Sequence, residues 1–281
     1  MWIKLILAAL LGLSLATALR FEPTRGRTPL GAQRRGASDR PRLKLMTWNV
    51  GYAALEDDTR AHTEDLLAVA ETISQRDPDA VALQELTGTE QLNFLLAHLG
   101  GRYRGHVGRL NGGDRVEAVL VKDRGARFAS VPTTRADAAS AIFRAGTGEQ
   151  AREVVFVSAH ADAFSAVRRR RYTEEVVEWA AARSGRGSVV LIAGDFNFEL
   201  SSANETNLYT DNLKHDSEAY NHLLKFFRDL GRDAGDTAIN ERRIDYVFGS
   251  PETALQVRAE VLRGAAVGRM DHWPLVVEIE L

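Results

Sequence analysis

The polar residues of this sequence that could do chemistry stand where short apolar runs end. Asn49, Glu85 and His160 each follow such a run directly or after one intervening residue. Asp195 and Asn197 follow another run, and their spacing of two places both side chains on one face of an extended chain. Strand ends at one edge of a sheet present side chains into a shared cleft. We therefore expect these residues to meet in one site.

Asp245 and His272 form the most informative pair. Asp245 interrupts the apolar run from Ile244 to Phe248, where an ionised carboxylate costs free energy unless a donor or a cation satisfies it. His272, which follows Asp271, is the natural partner, because an aspartate bonded to one ring nitrogen leaves the other nitrogen for chemistry. Taken singly, each of these polar residues also has a structural explanation, such as a turn or a satisfied buried histidine.

Composition limits the chemistry that such a site can use. The chain has 281 residues, of which 44% are hydrophobic and 26% are charged, as is typical of a folded soluble protein. Its 36 basic and 38 acidic residues give a net charge of −2, so composition alone does not indicate a nucleic-acid binder. The absence of cysteine excludes thiol nucleophiles, disulfides and cysteine-ligated metals. A metal site must use oxygen or imidazole ligands.

The N-terminal part of the chain differs in composition from the rest. Lys4 precedes an uncharged run from Leu5 to Leu19, and Ala16-Thr17-Ala18 fits a small-x-small cleavage site, so we predict a signal peptide over residues 1–18. Residues 19–42 are rich in Arg, Pro and Gly and are predicted to be a flexible linker. The protein is therefore predicted to be secreted or periplasmic. An uncleaved segment that anchors the protein to a membrane is the alternative.

Apolar periodicity predicts alternating strands and helices after this linker, in one large domain or two small ones. Strands are predicted at 42–50, 80–83, 116–121, 154–159, 188–193, 244–248, 255–261 and 275–281. Helices are predicted around 66–73, 92–99 and 166–183. The segment 200–221 is polar, and Phe226-Phe227 fits an amphipathic helix.

Six short motifs, taken in order, resemble the set that characterises the endonuclease/exonuclease/phosphatase superfamily, which includes deoxyribonuclease I. They are Thr47-Trp48-Asn49, Gln84-Glu85, Ser158-Ala159-His160, Gly194-Asp195-Phe196-Asn197, Ile244-Asp245-Tyr246-Val247 and Asp271-His272-Trp273-Pro274. Each motif alone is unspecific, whereas their ordered occurrence is hard to produce by chance. The resemblance covers residues 43–281 and implies a single domain. It also implies an α/β (α+β) fold, a four-layer sandwich of two mostly antiparallel sheets packed face to face with helices outside.

The resemblance further implies metal-dependent cleavage of a phosphate ester, with Mg²⁺ as the metal and Mn²⁺ as its alternative. Glu85 resembles the principal metal ligand of the family, with Asn49 and Asp271 nearby. Hard oxygen ligands of this kind suit Mg²⁺ and agree with a site that has no cysteine.

The remaining motif residues are implied to be catalytic. Asp195 resembles the residue that orients or deprotonates the attacking water, and Asn197 resembles its neighbour that holds the phosphate or the water. His160 and His272 resemble the pair that contacts the phosphoryl oxygens, and Asp245 orients His272. This division suits a phosphodiester, which needs charge neutralisation, an in-line nucleophile and stabilisation of the leaving oxygen.

Two positions depart from the family pattern. Met270 stands where the family usually has serine, and the strand from Val116 to Lys122 lacks the usual Gly-Asn-Ala. His160 matches deoxyribonuclease I and sphingomyelinases rather than the abasic-site enzymes, which have tyrosine there. The run from Arg168 to Arg171 is either a solvated helix face or a contact for phosphates.

Nucleic acid is the favoured substrate. Four arginines give the loops between predicted strands a modest positive charge, namely Arg102, Arg104, Arg109 and Arg115. A phospholipid is the alternative, as for a sphingomyelinase-like enzyme, although the sequence has no evident loop with adjacent aromatics that would enter a membrane. A phosphomonoesterase and a non-catalytic binding protein on the same fold are further alternatives. We expect a monomer that has no obligate protein partner.

Overall fold

The computed structural model describes residues 40–51, 62–109, 115–134, 137–185, 187–200, 210–253 and 257–281. The predicted signal peptide, and the predicted linker up to residue 39, lie outside the described residues. Arg40–Leu281 forms one unit by its internal contacts. Within the described part of the chain, no helix is long and apolar enough to cross a membrane.

The described residues form twelve β-strands and four α-helices. In chain order the strands β1 to β12 are Arg42–Asn49, Ala80–Leu86, Arg104–Val107, Val116–Val121, Arg127–Val131, Ala138–Ala145, Arg152–His160, Val189–Asp195, Arg228–Asp229, Asp245–Gly249, Val257–Val261 and Leu275–Glu280. The helices α1 to α4 are His62–Arg76, Thr89–His98, Ala166–Ala181 and Leu213–Leu224.

The strands form two six-stranded sheets. The order in the first sheet is β11-β12-β1-β2-β4-β3, and the order in the second is β5-β6-β7-β8-β10-β9. Among these strands only β1 with β2 and β7 with β8 pair in parallel. Helices α1 and α2 pack on the outer face of the first sheet, and α3 and α4 pack on the outer face of the second. The predicted four-layer sandwich of mostly antiparallel sheets is confirmed.

Strict alternation along the central strands separates the inner core from the outer cores. In β1, Leu43 and Leu45 point into the gap between the sheets, whereas Met46 and Trp48 point towards α1 and α2. Each fully buried side chain of this kind contributes about 1.5–3 kcal/mol relative to an exposed one. The inward positions that follow Leu45 are Thr47 and then Asn49, so the side chain of Asn49 lies on the same face of the sheet as the inner core.

The sequence analysis missed five elements of the described structure, namely β3, β5, β6, β9 and α4. Strand β6 has four alanines among its eight residues, and alanine favours helices rather than strands. Helix α4 begins after Asn212, whose side chain accepts a hydrogen bond from the backbone N–H of His215. The prediction that Phe226 and Phe227 belong to an amphipathic helix is wrong. Both residues follow α4 in a turn, with Phe227 buried and Phe226 exposed.

A buried ion pair joins α3 to α4. The guanidinium of Arg169 is fully buried and donates to both carboxylate oxygens of Asp216, at 2.8 and 3.0 Å. It also donates to the carbonyl oxygen of Asp162 and the hydroxyl of Thr210, which lie in the loops that precede the two helices. Removing one partner of such a pair costs about 3–5 kcal/mol, because it leaves an uncompensated buried charge. This arginine has a structural role.

The other three arginines of the same run also pair with carboxylates: Arg168 with Asp162, Arg170 with Glu174 and Glu218, and Arg171 with Glu175. For these three residues, which are exposed or half-buried, the pairs favour the predicted solvated helix face; for the buried Arg169 that prediction is wrong.

Gly194 lies where the backbone leaves no room for a side chain. Its φ is +150°, and a Cβ at this position would lie 1.9 Å from the carbonyl oxygen of Ala159, where β7 pairs with β8. Because the backbone must move to relieve this clash, Gly194→Ala is expected to lower the free energy of unfolding by about 3 kcal/mol or more. Urea denaturation monitored by circular dichroism measures this loss.

Gly148→Ala is the matched control for this prediction. Gly148 also has a positive φ, +59°, but nothing lies within 4 Å of its added Cβ. Its substitution should cost only about 1–2 kcal/mol, the strain of a left-handed residue. Equal losses in the two variants would contradict the steric argument.

Candidate functional site

The strand ends converge at one end of the gap between the two sheets. Asn49 lies opposite Gln84 in the parallel β1–β2 pair, and His160 lies opposite Asp195 in the parallel β7–β8 pair. Strand β10 runs antiparallel to β8, so its first residue, Asp245, also lies opposite Asp195. The structure therefore brings together the polar residues that the sequence places at the ends of separate apolar runs.

Glu85 reaches this site through a β-bulge. Leu83 faces the helices of the outer layer, and regular alternation would place Glu85 on that same outer face. Instead Glu85 has a φ of +63°, the register with β4 shifts between Leu83 and Leu86, and Leu86 takes the outer position. A Cβ at Gly51 would lie 2.5 Å from Oε2 of Glu85, so the absence of a side chain there leaves room for this carboxylate.

Asn49 links the carboxylates of the two sheets. Its Nδ2 donates to Oε1 of Glu85 at 3.0 Å and to Oδ2 of Asp195 at 3.0 Å. Its Oδ1 accepts the backbone N–H of Gly51 at 2.9 Å. In this orientation Asn49 acts as a donor that fixes both carboxylates. Coordination of a metal by its Oδ1 would require rotation of the amide.

The predicted pair of Asp245 and His272 is present. Nδ1 of His272 lies 2.8 Å from Oδ2 of the fully buried Asp245. Burial opposes protonation of His272, but the charges of Asp245 and Asp195 outweigh this effect and raise the pKa of His272 to about 10. Burial also raises the pKa of Asp245, against the lowering effect of His272. Both shifts keep a proton between these two side chains at neutral pH.

The backbone around His272 is held from both sheets. The indole Nε1 of Trp48 donates to the carbonyl oxygen of His272 at 3.2 Å, and Ala238 forms an antiparallel bridge with His272. The hydroxyl of Thr237 accepts the backbone N–H of Asp245 at 3.0 Å. These contacts position the ring of His272 without using its Nε2. That atom lies 3.7 Å from Asp195.

His160 lies among three carboxylates. Its Nε2 is 3.7 Å from Glu85 and 3.6 Å from Asp195, and its Nδ1 is 3.8 Å from Oε1 of Glu117. Glu117 is buried in β4 and was not among the predicted site residues. A carboxylate inside an apolar strand was the available signal, the same one that identified Asp245. The site thus has a carboxylate beside each of its two histidines.

Asn197 holds the loops that leave β7 and β8. It has a φ of +51°, its backbone N–H donates to Oδ1 of Asp195 at 2.9 Å, and its Nδ2 donates to the carbonyl oxygen of Ala161 at 3.2 Å. Together with Asn49, it leaves both carboxylate oxygens of Asp195 with a donor. These contacts fix the orientation of the Asp195 carboxylate.

The donor set fits a divalent cation. Asp271 has a side chain that is 40% exposed, and its pKa is raised by burial and by the charges of Glu85 and Asp195, against the lowering effect of His272. Such an accumulation of carboxylates with partial solvent access is the environment that hard cations bind in proteins. Asp195, Asp245 and His272 also offer ligand atoms within 4.8 Å of one another. Because Nδ1 of His272 is bound to Asp245, this buried pair holds a proton, and the more exposed carboxylates of Glu85 and Asp271 are the residues that could hold a cation.

Among the arginines that were predicted to make the loops basic, Arg115 contacts a site residue, with its Nε 3.8 Å from Oε2 of Glu85. Arg102 instead pairs with Asp77, which precedes β2 and lies at the opposite end of the sheet. Arg104 begins β3 at that same far end, where it donates to backbone carbonyls. These two arginines therefore do not support a nucleic-acid substrate at the site.

A family model and several solved structures match this chain. The model of the Endonuclease/Exonuclease/phosphatase family matches residues 46–268. No curated protein sequence is significantly similar to this chain. Among solved structures, an endonuclease/exonuclease/phosphatase from Bacteroides vulgatus is 18% identical with a TM-score of 0.64, over 85% of this chain and 99% of that one. The human Nocturnin catalytic domain with bound sulfate is 17% identical with a TM-score of 0.64, over 86% and 95%. Truncated Caenorhabditis elegans TDP2 is 15% identical with a TM-score of 0.60, over 85% and 98%.

Asp245→Asn tests the electrostatic description of the site. The substitution keeps the shape of the side chain and removes the charge that most strongly favours the His272 imidazolium, so the pKa of His272 is expected to fall from about 10 by at least one unit. Nitrogen-15 NMR of the histidine ring in metal-free protein measures the change. Asp271→Asn is the control: its carboxylate lies 3.9 Å from Nε2 rather than 2.8 Å from Nδ1, so the fall should be smaller. An unchanged pKa in Asp245→Asn would contradict the assignment.

Proposed function

Because the chain belongs to the Endonuclease/Exonuclease/phosphatase family, whose members are phosphoesterases, we propose that it is a divalent-metal-dependent phosphodiesterase that uses water as the nucleophile. The observation that carries the proposal is the carboxylate cluster of Glu85, Asp195 and Asp271 beside the His272–Asp245 pair. A bound Mg²⁺ held by Glu85 and Asp271 would neutralise charge on the phosphoryl oxygens.

Asp195 is the residue best placed to act on the attacking water. Its carboxylate is nearly fully buried, and the donors from Asn49 and Asn197 fix its orientation. A carboxylate held in this way can accept a hydrogen bond from water and take its proton as the new bond to phosphorus forms. Positioning of this kind contributes to catalysis because the reacting atoms need no further reorganisation.

His272 is placed to stabilise the charge that develops on phosphate. Asp245 occupies Nδ1 and keeps the ring protonated at neutral pH, so Nε2–H is available as a donor. Its distance of 3.7 Å from Asp195 puts this donor next to the water-activating carboxylate. His160, with Nε2 at 3.6 Å from the same carboxylate, offers a second imidazole to the phosphoryl oxygens.

We propose nucleic acid as the first substrate class to test. The human Nocturnin domain that shares the fold binds a sulfate anion, whose tetrahedral shape matches phosphate and supports a phosphate ester of any class. A specific observation favours a lipid phosphodiester as the second candidate. Phe164 is 81% exposed only four residues after His160, and its backbone N–H and that of Ser165 are both held by Asp162. This rigid loop displays an aromatic side chain that suits an apolar part of a substrate.

One assay series separates these substrates. Purified protein is incubated with plasmid DNA, RNA, sphingomyelin vesicles, inositol phosphates and an aryl phosphodiester, each with Mg²⁺ and with a chelator. We expect hydrolysis of at least one phosphodiester that the chelator abolishes. Activity that survives chelation on every substrate would overturn the metal mechanism, and a complete lack of hydrolysis would favour a non-catalytic binding protein.

Asp195→Asn and His272→Ala are each expected to lower turnover by about 10²-fold or more in a protein that remains folded. Rates are compared on whichever substrate the wild-type protein hydrolyses, and unfolding midpoints verify the fold. Asp77→Asn is the control, since this exposed carboxylate precedes β2 at the opposite end of the sheet and should leave the rate unchanged. Near-normal turnover in either site variant would remove that residue from the mechanism.

We also propose that the protein is exported. The apolar run after Lys4 and the Ala16-Thr17-Ala18 sequence support cleavage after residue 18. Mass spectrometry of the mature protein is expected to show a new N-terminus at Leu19. A chain that keeps residues 1–18 and fractionates with membranes would favour the anchored alternative.

A further inference from the structure

Arg115 lies on the face of the first sheet that carries the site. It immediately precedes β4, whose first residue, Val116, pairs with Leu86 next to the bulge at Glu85. Residues two apart in an extended chain share a face, and Glu117 on this face reaches His160. The side chain of Arg115 is only 23% exposed, and its Nε lies 3.8 Å from Oε2 of Glu85.

The site holds more carboxylates than cationic side chains, so each cation in it matters for binding an anionic substrate. Five carboxylates, those of Glu85, Glu117, Asp195, Asp245 and Asp271, face the two histidines and Arg115. An anionic phosphodiester would be repelled by these carboxylates unless cations lie within reach of its oxygens. A guanidinium offers planar paired donors that match phosphate oxygens, which an ammonium or an imidazolium does not.

Glu85, which Arg115 contacts, is also a proposed metal ligand. Arg109, which follows β3, binds the buried Asp137 at 3.0 Å, and Asp137 is not a site residue. The Nε atom of Arg115 lies 3.8 Å from Oε2 of Glu85, which is longer than a hydrogen bond, so these two atoms form an ion pair. A cation and an arginine that share one carboxylate compete for its charge.

We propose that Arg115 is a phosphate-binding residue of this site and that it competes with the divalent cation for Glu85. When the cation takes the charge of Glu85, the guanidinium turns to the non-bridging oxygens of the substrate phosphate. The proposal rests on the proposed phosphoesterase function and assigns a further binding residue to it. The proposal predicts that removal of Arg115 strengthens binding of the cation and weakens binding of phosphate.

Binding measurements on Arg115→Ala test this directly. Isothermal titration with Mn²⁺ alone is expected to give a dissociation constant about threefold to tenfold lower than that of the wild-type protein. Titration of the Mn²⁺-loaded protein with inorganic phosphate is expected to give a dissociation constant about tenfold higher. Arg115→Lys keeps the charge but loses the paired donors, so its Mn²⁺ binding should match the wild type and its phosphate binding should be intermediate.

Arg109→Ala is the matched control and should change neither constant, and urea midpoints verify that each variant is folded. Weaker Mn²⁺ binding in Arg115→Ala would mean that Arg115 only holds Glu85 in place and would overturn the proposal. Unchanged phosphate binding would overturn it as well. If the wild-type protein binds neither Mn²⁺ nor phosphate, the proposed phosphoesterase function fails. This outcome differs from failure of the Arg115 proposal alone, in which the wild-type protein binds both ligands.

Discussion

The alternation of side chains across the gap between the two sheets is the constraint on which this structure depends. Inward positions of β1, β7 and β8 are apolar at first and become polar towards the end of each strand, where the last residues are Asn49, His160 and Asp195. Buried polar groups are tolerated only where they satisfy one another. The hydrogen bonds from Asn49 to Glu85 and Asp195 meet this requirement across the sheets. The site is thus also the polar end of the inner core.

A neutral polar layer lies between the apolar core and these charges. Gln84 of the first sheet donates to the hydroxyl of Ser158 in the second at 2.9 Å, and that hydroxyl donates to the carbonyl oxygen of Leu83. Thr47 donates to the side chain of Gln84. Because these bonds are buried and directional, they fix the distance between the sheets directly below the carboxylates. Precise placement of side chains that come from two separate sheets requires such a link.

The sequence could predict those site residues whose positions follow from the pattern of neighbouring residues. Asn49, Asp195 and Asp245 interrupt or end apolar strands, and strand parity is visible within a few residues, so their inward direction followed from the pattern. The inward turn of Glu85 depends on a bulge, and the approach of Glu117 to His160 depends on the pairing of distant strands. Such long-range geometry has no local sequence signal. The alanine-rich β6 was missed for the same reason, since its strand state is set by its neighbours.

The pairing of the surface arginines explains why the net charge does not identify a substrate. Arg102 and Arg171, whose side chains are exposed, each pair with a carboxylate, and Arg109 pairs with the buried Asp137, so these positive charges neutralise negative ones nearby. Exposed pairs of this kind add little stability and little long-range field. For the proposed phosphoesterase, attraction of the phosphate would then rest on cations within the site, where charges are less screened. Choice among phosphoesters must come from the shape and apolar character of loops such as the one that carries Phe164, as expected where one fold supports several activities.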